Sequence, residues 1–209
     1  MQTKLKILGF SEAALCMIFD ILESNNTYPY IEIINNLNIT PTKEYINPSF
    51  IIREKNQLDD SQGSFLIGAA KKETKIKIRE FFKGIPDEKF IPLISKHVNI
   101  SSTTSIDKGV IINTNVCIAA HSKIGKFVFI NRGCTIGHHT TIGDFTTINP
   151  AANIAGNVKI GKNCQIGMGA NIIDGITIGD NVIIGAGSLV TKDIPNDVTA
   201  YGVPCKIVR

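Results

Sequence analysis

Along the C-terminal half of the chain an apolar residue returns at every sixth position. Isoleucine occupies 100, 106, 112, 118, 124, 130, 136, 142, 148, 154, 160, 166, 172, 178 and 184, and Val190 continues the series. From 106 onward a second small or branched residue follows four places later, among them Val110, Ser122, Cys134, Thr140, Ala152 and Cys164. An α-helix cannot keep such residues on one face, because six steps turn it by about 600°. A strand alternates at two. A period of six describes a solenoid with short flat faces, each sending its isoleucine inward. A turn that glycine permits leads to the next face. Glycine follows the isoleucine in IGKF, IGHH, IGDF, IGKN, IGMG, IGDN and IGAG.

The residues before 100 carry a different pattern. LKILGF reads as a strand, and SEAALCMIFDILESN as an amphipathic helix with Ser11 as N-cap and Glu12 in its first turn. YIEII and SFLIGAA read as further strands, KKETKIKIREFFK as a second helix, and KFIPLI as a fourth strand leading into the solenoid near His97. This βαβ order predicts a small parallel α/β domain, a half-size relative of dinucleotide-binding folds. The six-residue period resembles the hexapeptide repeat of the left-handed parallel β-helix, which has three faces per coil. On that resemblance eighteen residues make one coil, and 100–190 supplies five coils without an inserted loop. The expected fold is thus a half-Rossmann-like domain over 1–96 and a β-helix with a C-terminal tail over 97–209, the boundary falling at 94–99.

Composition narrows the function classes. The chain has 209 residues, 43% of them hydrophobic, enough for a real core. No apolar run approaches the roughly 20 residues of a membrane span. The N-terminus lacks a plausible signal-peptide core and cleavage site, so a cytoplasmic location is expected. Five cysteines form no CxxC pair, which points to reduced thiols. The net charge of +4 comes from scattered lysines, with no basic run interleaved with aromatics. Nucleic acid is therefore not an expected partner, whereas small anionic ligands are.

The chain has four histidines, and two of them are adjacent, His138 and His139 in IGHHTTIGDF. Residues eighteen apart stack on adjacent coils at roughly 5 Å. His121 and His139 share one such column. Asn113, Asn131 and Asn149 share another, read as a structural ladder of side-chain amides. His138 is either a solvated corner residue or a general base, since free imidazole titrates near 6.5 and suits proton abstraction at neutral pH. A zinc site is the third reading. The 121, 138, 139 spacing does not reproduce the histidines of the carbonic anhydrases that resemble this architecture, so no metal is expected.

The segment IGHHTTIGDFTTINPAANIAGNVKIGKNCQIG, the later GITIGDNVIIGAGSLVTKDIPNDVTAYGVPCKIV and the α/β front domain together resemble the hexapeptide bacterial sugar acetyltransferases. These include bacillosamine-pathway enzymes that N-acetylate a UDP-4-amino sugar, and sialic acid O-acetyltransferases. The GVPCK segment at 202–206 is characteristic of the class and says little of the substrate. The resemblance implies a homotrimer with active sites between neighbouring β-helices and acetyl-CoA as co-substrate. It places His138 on the catalytic base, Asn131 beside it, and Gly156 where a backbone N–H faces the thioester carbonyl. Met168 and Ala186 match positions lining the coenzyme A groove, and Thr147 stands where some members carry a second histidine. Lys192, Lys206 and Arg209 are candidates for the coenzyme phosphates. The acceptor, a sugar or nucleotide sugar, would lie in the front domain near Gly9, Ser11, Asn35, Asn36 and Gly68.

Two departures stand out. Many members follow the base with an acid that orients the imidazole; here the next residue is His139, which either orients His138 or only stacks on His121. The first βα turn, usually like GxxGH, is Gly9-Phe10-Ser11-Glu12-Ala13, with a carboxylate at the helix N-terminus. The expected activity is N-acetylation of a UDP- or dTDP-linked amino sugar for surface glycan synthesis. O-acetylation of a sugar hydroxyl such as that of sialic acid, and a non-catalytic trimeric scaffold, are the alternatives. No covalent acyl-cysteine is expected, because Cys134 and Cys164 occupy inward positions of the repeat.

Overall fold

The computed structural model describes residues 4–9, 11–26, 30–34, 52–55, 58 and 62–209. Four parallel strands open the chain: β1 (Lys4–Leu8), β2 (Tyr30–Ile34), β3 (Ile52–Lys55) and β4 (Ser64–Ile67), ordered β3-β2-β1-β4. Helix α1 (Glu12–Ser24) links β1 to β2, and α2 (Lys72–Phe81) follows β4. Leu5, Ile7, Ile31 and Ile33 pack with α1 residues such as Leu15 and Ile18, while Leu8, Ile34, Phe65 and Ile67 pack with Ile78 of α2. The sheet is thus covered on both faces, as near-continuous apolar parallel strands require.

Three expectations change here. Segment IREK forms edge strand β3, paired with β2 through Ile31↔Ile52 to Ile34↔Lys55; its charged residues carry no apolar run, so the pattern did not announce it. KFIPLI does not add a strand to this sheet. Phe90 makes a single bridge to Phe65, and Leu93–Ile94 is already a rung of the solenoid, pairing with Ile111–Ile112. Ser11 is the N-cap residue of α1 by position and extended backbone, but its side chain makes no capping hydrogen bond.

From Leu93 the chain winds into a left-handed parallel β-helix of three sheets, each rung two residues long. Register advances by eighteen: Ile118, Ile136, Ile154, Ile172 and Val190 lie one above another on one face. The isoleucines fill one continuous core. At several of these positions a polar or thiol second inward residue reaches the next coil fifteen residues on. Ser122 donates to the Gly137 carbonyl at 3.0 Å, Thr140 to Ala155 at 3.0 Å, Thr146 to Gly161 at 2.8 Å, and Cys134 Sγ to Asn149 at 3.1 Å. Each buried donor is thereby satisfied.

The corners explain the histidine columns. Every sixth residue from Gly109 to Gly187 has φ between 57° and 76°, including His121 and His139. This is the left-handed region, where glycine, Asn and His are tolerated best. The turning residue is therefore the third after isoleucine. The glycine directly after it serves another purpose: a Cβ on Gly137 would collide with the backbone of Ala155 and Gly156 on the next coil. The Asn113, Asn131 and Asn149 column does not form an amide ladder. Asn113 and Asn131 accept from the following backbone N–H, and Asn149 donates to the Ile166 carbonyl. The ladder lies on the outer face instead, from Thr135 to Asn153 (2.9 Å) and on to Asn171 (3.1 Å).

Helix α2 seats the front domain on the solenoid. Phe127 and Phe145 occupy left-handed corners, stack at 4.9 Å, and receive Phe90 edge-on at 5.1 Å. Arg79 lies over Phe90 and Phe127 and pairs with Asp87 at 2.7 Å, which also binds Lys126 at 2.9 Å. The Arg79 and Lys126 hydrogen bonds hold the Asp87 carboxyl below the usual range. Lys75 is fully buried, its ammonium 3.0 Å from the Phe127 carbonyl, 3.2 Å from that of Thr146 and 2.9 Å from Thr147 Oγ1.

Candidate active site

Position two after each isoleucine on one edge of the prism forms a column of Ala120, His138, Gly156, Asp174 and Lys192, eighteen residues apart. His138 is exposed and projects along this corner toward Gly156. A Cβ built on Gly156 would stand 2.7 Å from His138 Cε1, 2.8 Å from Nε2 and 2.9 Å from Asp174 Oδ1. Glycine here leaves room for an imidazole and a carboxylate on either side of one backbone position. The Gly156 carbonyl accepts from Gly175 at 3.0 Å, while its N–H has no partner among the described residues. Nε2 of an exposed histidine thus lies over the buried Gly156, whose backbone N–H is unspent among the described residues. That pairing can remove a proton and stabilise a developing oxyanion.

His139 does both things its position allows. Its ring lies against that of His121, tilted by 44° with centroids 4.9 Å apart, and its Nδ1 lies 3.1 Å from His138 Nδ1. Asp174 was not singled out by sequence reasoning. The signal was present, because it lies eighteen residues beyond Gly156 and thirty-six beyond His138 in the same column. Its Oδ1 is held by Asn157 Nδ2 at 3.3 Å.

The remaining predicted residues divide among other places. Asn131, Met168 and Ala186 belong to the preceding corner, a whole face of the prism away from His138 in the same chain. Asn131 is buried there and Met168 is 58% exposed. Thr147 does not open onto a groove. It is 4% exposed, donates to the Ala70 carbonyl at 2.7 Å and receives Lys75, so its hydroxyl is occupied beneath the front domain. Lys206 is exposed in a short return strand, Lys206–Ile207, beyond the turn at Gly202. Burial pushes the Cys134 thiol up to about 11 and raises that of Cys164, which removes both as nucleophiles.

In the front domain, Gly9 and Gly68 end β1 and β4, the strands between which the order of the sheet reverses. Gly68 N–H bonds to the Leu8 carbonyl at 2.8 Å, and a Cβ on it would stand 2.6 Å from Gly9 O. Such a switch point, at the carboxyl ends of parallel strands, is where open α/β sheets take their ligands. Ser11 lies beside it, its side chain unspent on the helix cap. Asn35 and Asn36 lie outside the described residues.

Residues 157–192 match the bacterial transferase hexapeptide profile of six repeats. No protein of curated function shows a significant match. Solved structures do. The fold is similar to perosamine N-acetyltransferase from Caulobacter crescentus, solved as a His-to-Asn mutant with CoA and GDP-perosamine. That pair is 24% identical over 100% of this chain and 98% of that one, at a TM-score of 0.82. It is similar too to the acetyltransferase domain of PglB from Neisseria gonorrhoeae FA1090 bound to acetyl coenzyme A, at 24% identity, full coverage of both chains and a TM-score of 0.86. WeeI from Acinetobacter baumannii AYE follows at 22% identity, 99% and 100% coverage and a TM-score of 0.80. These likenesses span both the α/β domain and the solenoid, and they are likenesses of fold.

Proposed function

We propose that the chain is an acetyl-CoA-dependent sugar acetyltransferase that N-acetylates an amino sugar carried on a nucleotide. The observation that carries this reading is His138 Nε2 set against Gly156, whose N–H has no partner among the described residues, at one corner of a hexapeptide solenoid. The whole-chain likeness to structures holding CoA, acetyl coenzyme A and GDP-perosamine supports it. In the proposed reaction His138 Nε2 takes a proton from the acceptor amine as the nitrogen attacks the thioester carbonyl. The new C–N bond forms, and the oxyanion is held by the Gly156 N–H. The C–S bond then breaks and the thiolate leaves, which needs little acid help at a thiol pKa near 8.5.

Asp174 favours an amine over a hydroxyl. A carboxylate beside Gly156 favours the positive charge that builds on a neutral amine nitrogen as it attacks, before His138 takes its proton, whereas a hydroxyl deprotonated as it attacks builds none. The acceptor's nucleotide would bind at the Gly9–Gly68 switch point, in a front domain that ends before the solenoid rung at Leu93. The separation of His138 from Met168 and Ala186 fits a homotrimer, in which one subunit's corner faces the next subunit's His138. Acetyl-CoA as donor supports a cytoplasmic reaction.

Thiol release from acetyl-CoA against UDP-, dTDP- and GDP-linked amino sugars and free sialic acid tests the reading. Release with an amino sugar nucleotide alone is expected. Release with sialic acid alone would move the chain to O-acetylation, and silence with all four would leave a scaffold. A Gly156→Ala substitution is expected to lower turnover by about 10- to 100-fold through displacement of the His138 ring. Its thermal midpoint should stay within a few degrees, because the atoms it meets are ends of exposed side chains.

A further inference from the structure

We propose that His139 is the positioning residue for His138: its unprotonated Nδ1 accepts a hydrogen bond from His138 Nδ1–H and leaves His138 Nε2 bare toward Gly156. The inference rests on the acetyltransferase reading for its kinetic consequence, but not for its geometry. Two imidazole nitrogens 3.1 Å apart share one proton, so one donates and the other accepts. If His139 donated, His138 would hold its proton on Nε2 and present an N–H to Gly156. Once His138 has taken a proton from an acceptor, both its nitrogens carry hydrogen. Only an accepting His139 survives that change with the contact intact. The neutral ring thereby takes the place that an acid has in a His–acid pair.

The rest of the corner holds His139 in that pose. Its backbone sits in the left-handed region at φ 57°, and its N–H donates to the Ala120 carbonyl at 2.9 Å. The His121 ring lies against it at 4.9 Å, and the two rings of the adjacent pair meet edge-on, 84° apart. The charged and titratable groups facing this pair are His121 on the coil before and Asp174 beyond Gly156. Protonation of both paired rings would set two N–H groups against each other, so acid breaks the contact.

Three substitutions separate this role from mere stacking. His139→Asn puts an amide oxygen where Nδ1 stood and tolerates the left-handed corner; His139→Asp puts a carboxylate there; His139→Gly removes the acceptor and keeps the backbone. All three abolish the stack on His121. Expected are near-native kcat/KM for Asn, a loss of about 10- to 100-fold for Gly, and for Asp an acid limb of the pH–rate profile moved up by at least about half a unit. Equal behaviour of the three would overturn the proposal. Long-range ¹H–¹⁵N NMR of the unmodified protein at pH 8 reads the tautomers without any turnover. A proton on Nδ1 of His138 and on Nε2 of His139 is expected, and the reverse on His138 would overturn the proposal whatever the acceptor assays show. A chain with the expected tautomers but no thiol release would keep the paired histidines and lose the acetyltransferase.

Discussion

His138→Ala is expected to lower turnover by about 10²- to 10⁴-fold while leaving acetyl-CoA affinity within about twofold. The side chain is exposed at a corner, outside the isoleucine core, and its Nε2 lies against Gly156. Its removal takes away the proton acceptor without disturbing the coil that presents the Gly156 N–H. The loss should therefore appear in kcat rather than in KM for the thioester. Steady-state kinetics paired with calorimetric titration of CoA separates the two. Activity near that of the unmodified protein would end the assignment of His138 as base.

The second large effect belongs to Lys75 and is a dependence on pH. Burial drags its amine from the usual lysine range down to about 7. Against this, its three neighbours can only accept. Two are backbone carbonyls, and Thr147 Oγ1 has already given its proton to Ala70. A neutral amine has two hydrogens for these three acceptors and would leave one acceptor unserved. In the unfolded chain a lysine keeps its proton up to about pH 10.4. Between about 7 and 10.4 the unfolded state binds one proton that the folded state has released, so stability rises with pH by about 1.4 kcal/mol per unit. Below 7 both states are protonated and the slope vanishes. Lys75→Met lacks this linkage. Its stability relative to the unmodified chain should fall by about 4 kcal/mol between pH 7 and pH 10. Urea unfolding of both proteins across that range measures it. A constant difference would show that the three acceptors hold the proton as firmly as water does.

Much of the molecule was readable from periodicity. The six-residue step located the solenoid, the inward Cys134 and Cys164, and the stack of His121 on His139, because a repeat converts spacing into distance. What escaped was set by contacts the spacing does not encode. Phe127 and Phe145 stand where a glycine or asparagine is favoured, and the reason lies in the front domain's aromatic cluster. In α2 the buried side is marked by Lys75 and Ile78, whereas Ile76 and Phe81 face outward; a hydropathy pattern assigns a lysine of KKETKIKIREFFK to solvent. The asparagine column failed as a ladder because the Asn113 and Asn131 amides accept from their own next N–H and that of Asn149 goes to the Ile166 carbonyl, so no amide meets the next. Asp174 belongs to no motif around His138 and is reached only along the column that continues through Gly156 to the next coil. The resemblance carried Thr147 to a groove that this chain fills with its own α2 and the Ala70 loop.

The uninterrupted eighteen-residue register makes changes of length come in fixed sizes. A residue inserted between His138 and Gly156 would turn every later isoleucine out of the core. Six inserted residues would restore the core but carry Gly156 and Asp174 to a different edge of the prism. Only a whole coil keeps all columns in line, and that would part the imidazole from the amide by a further ~5 Å. Substitution can change this corner without breaking the register, within the limits set by Gly137, Gly156 and the left-handed residue 139, whereas insertion and deletion are confined to the ends of the solenoid or to loops bulging from single corners.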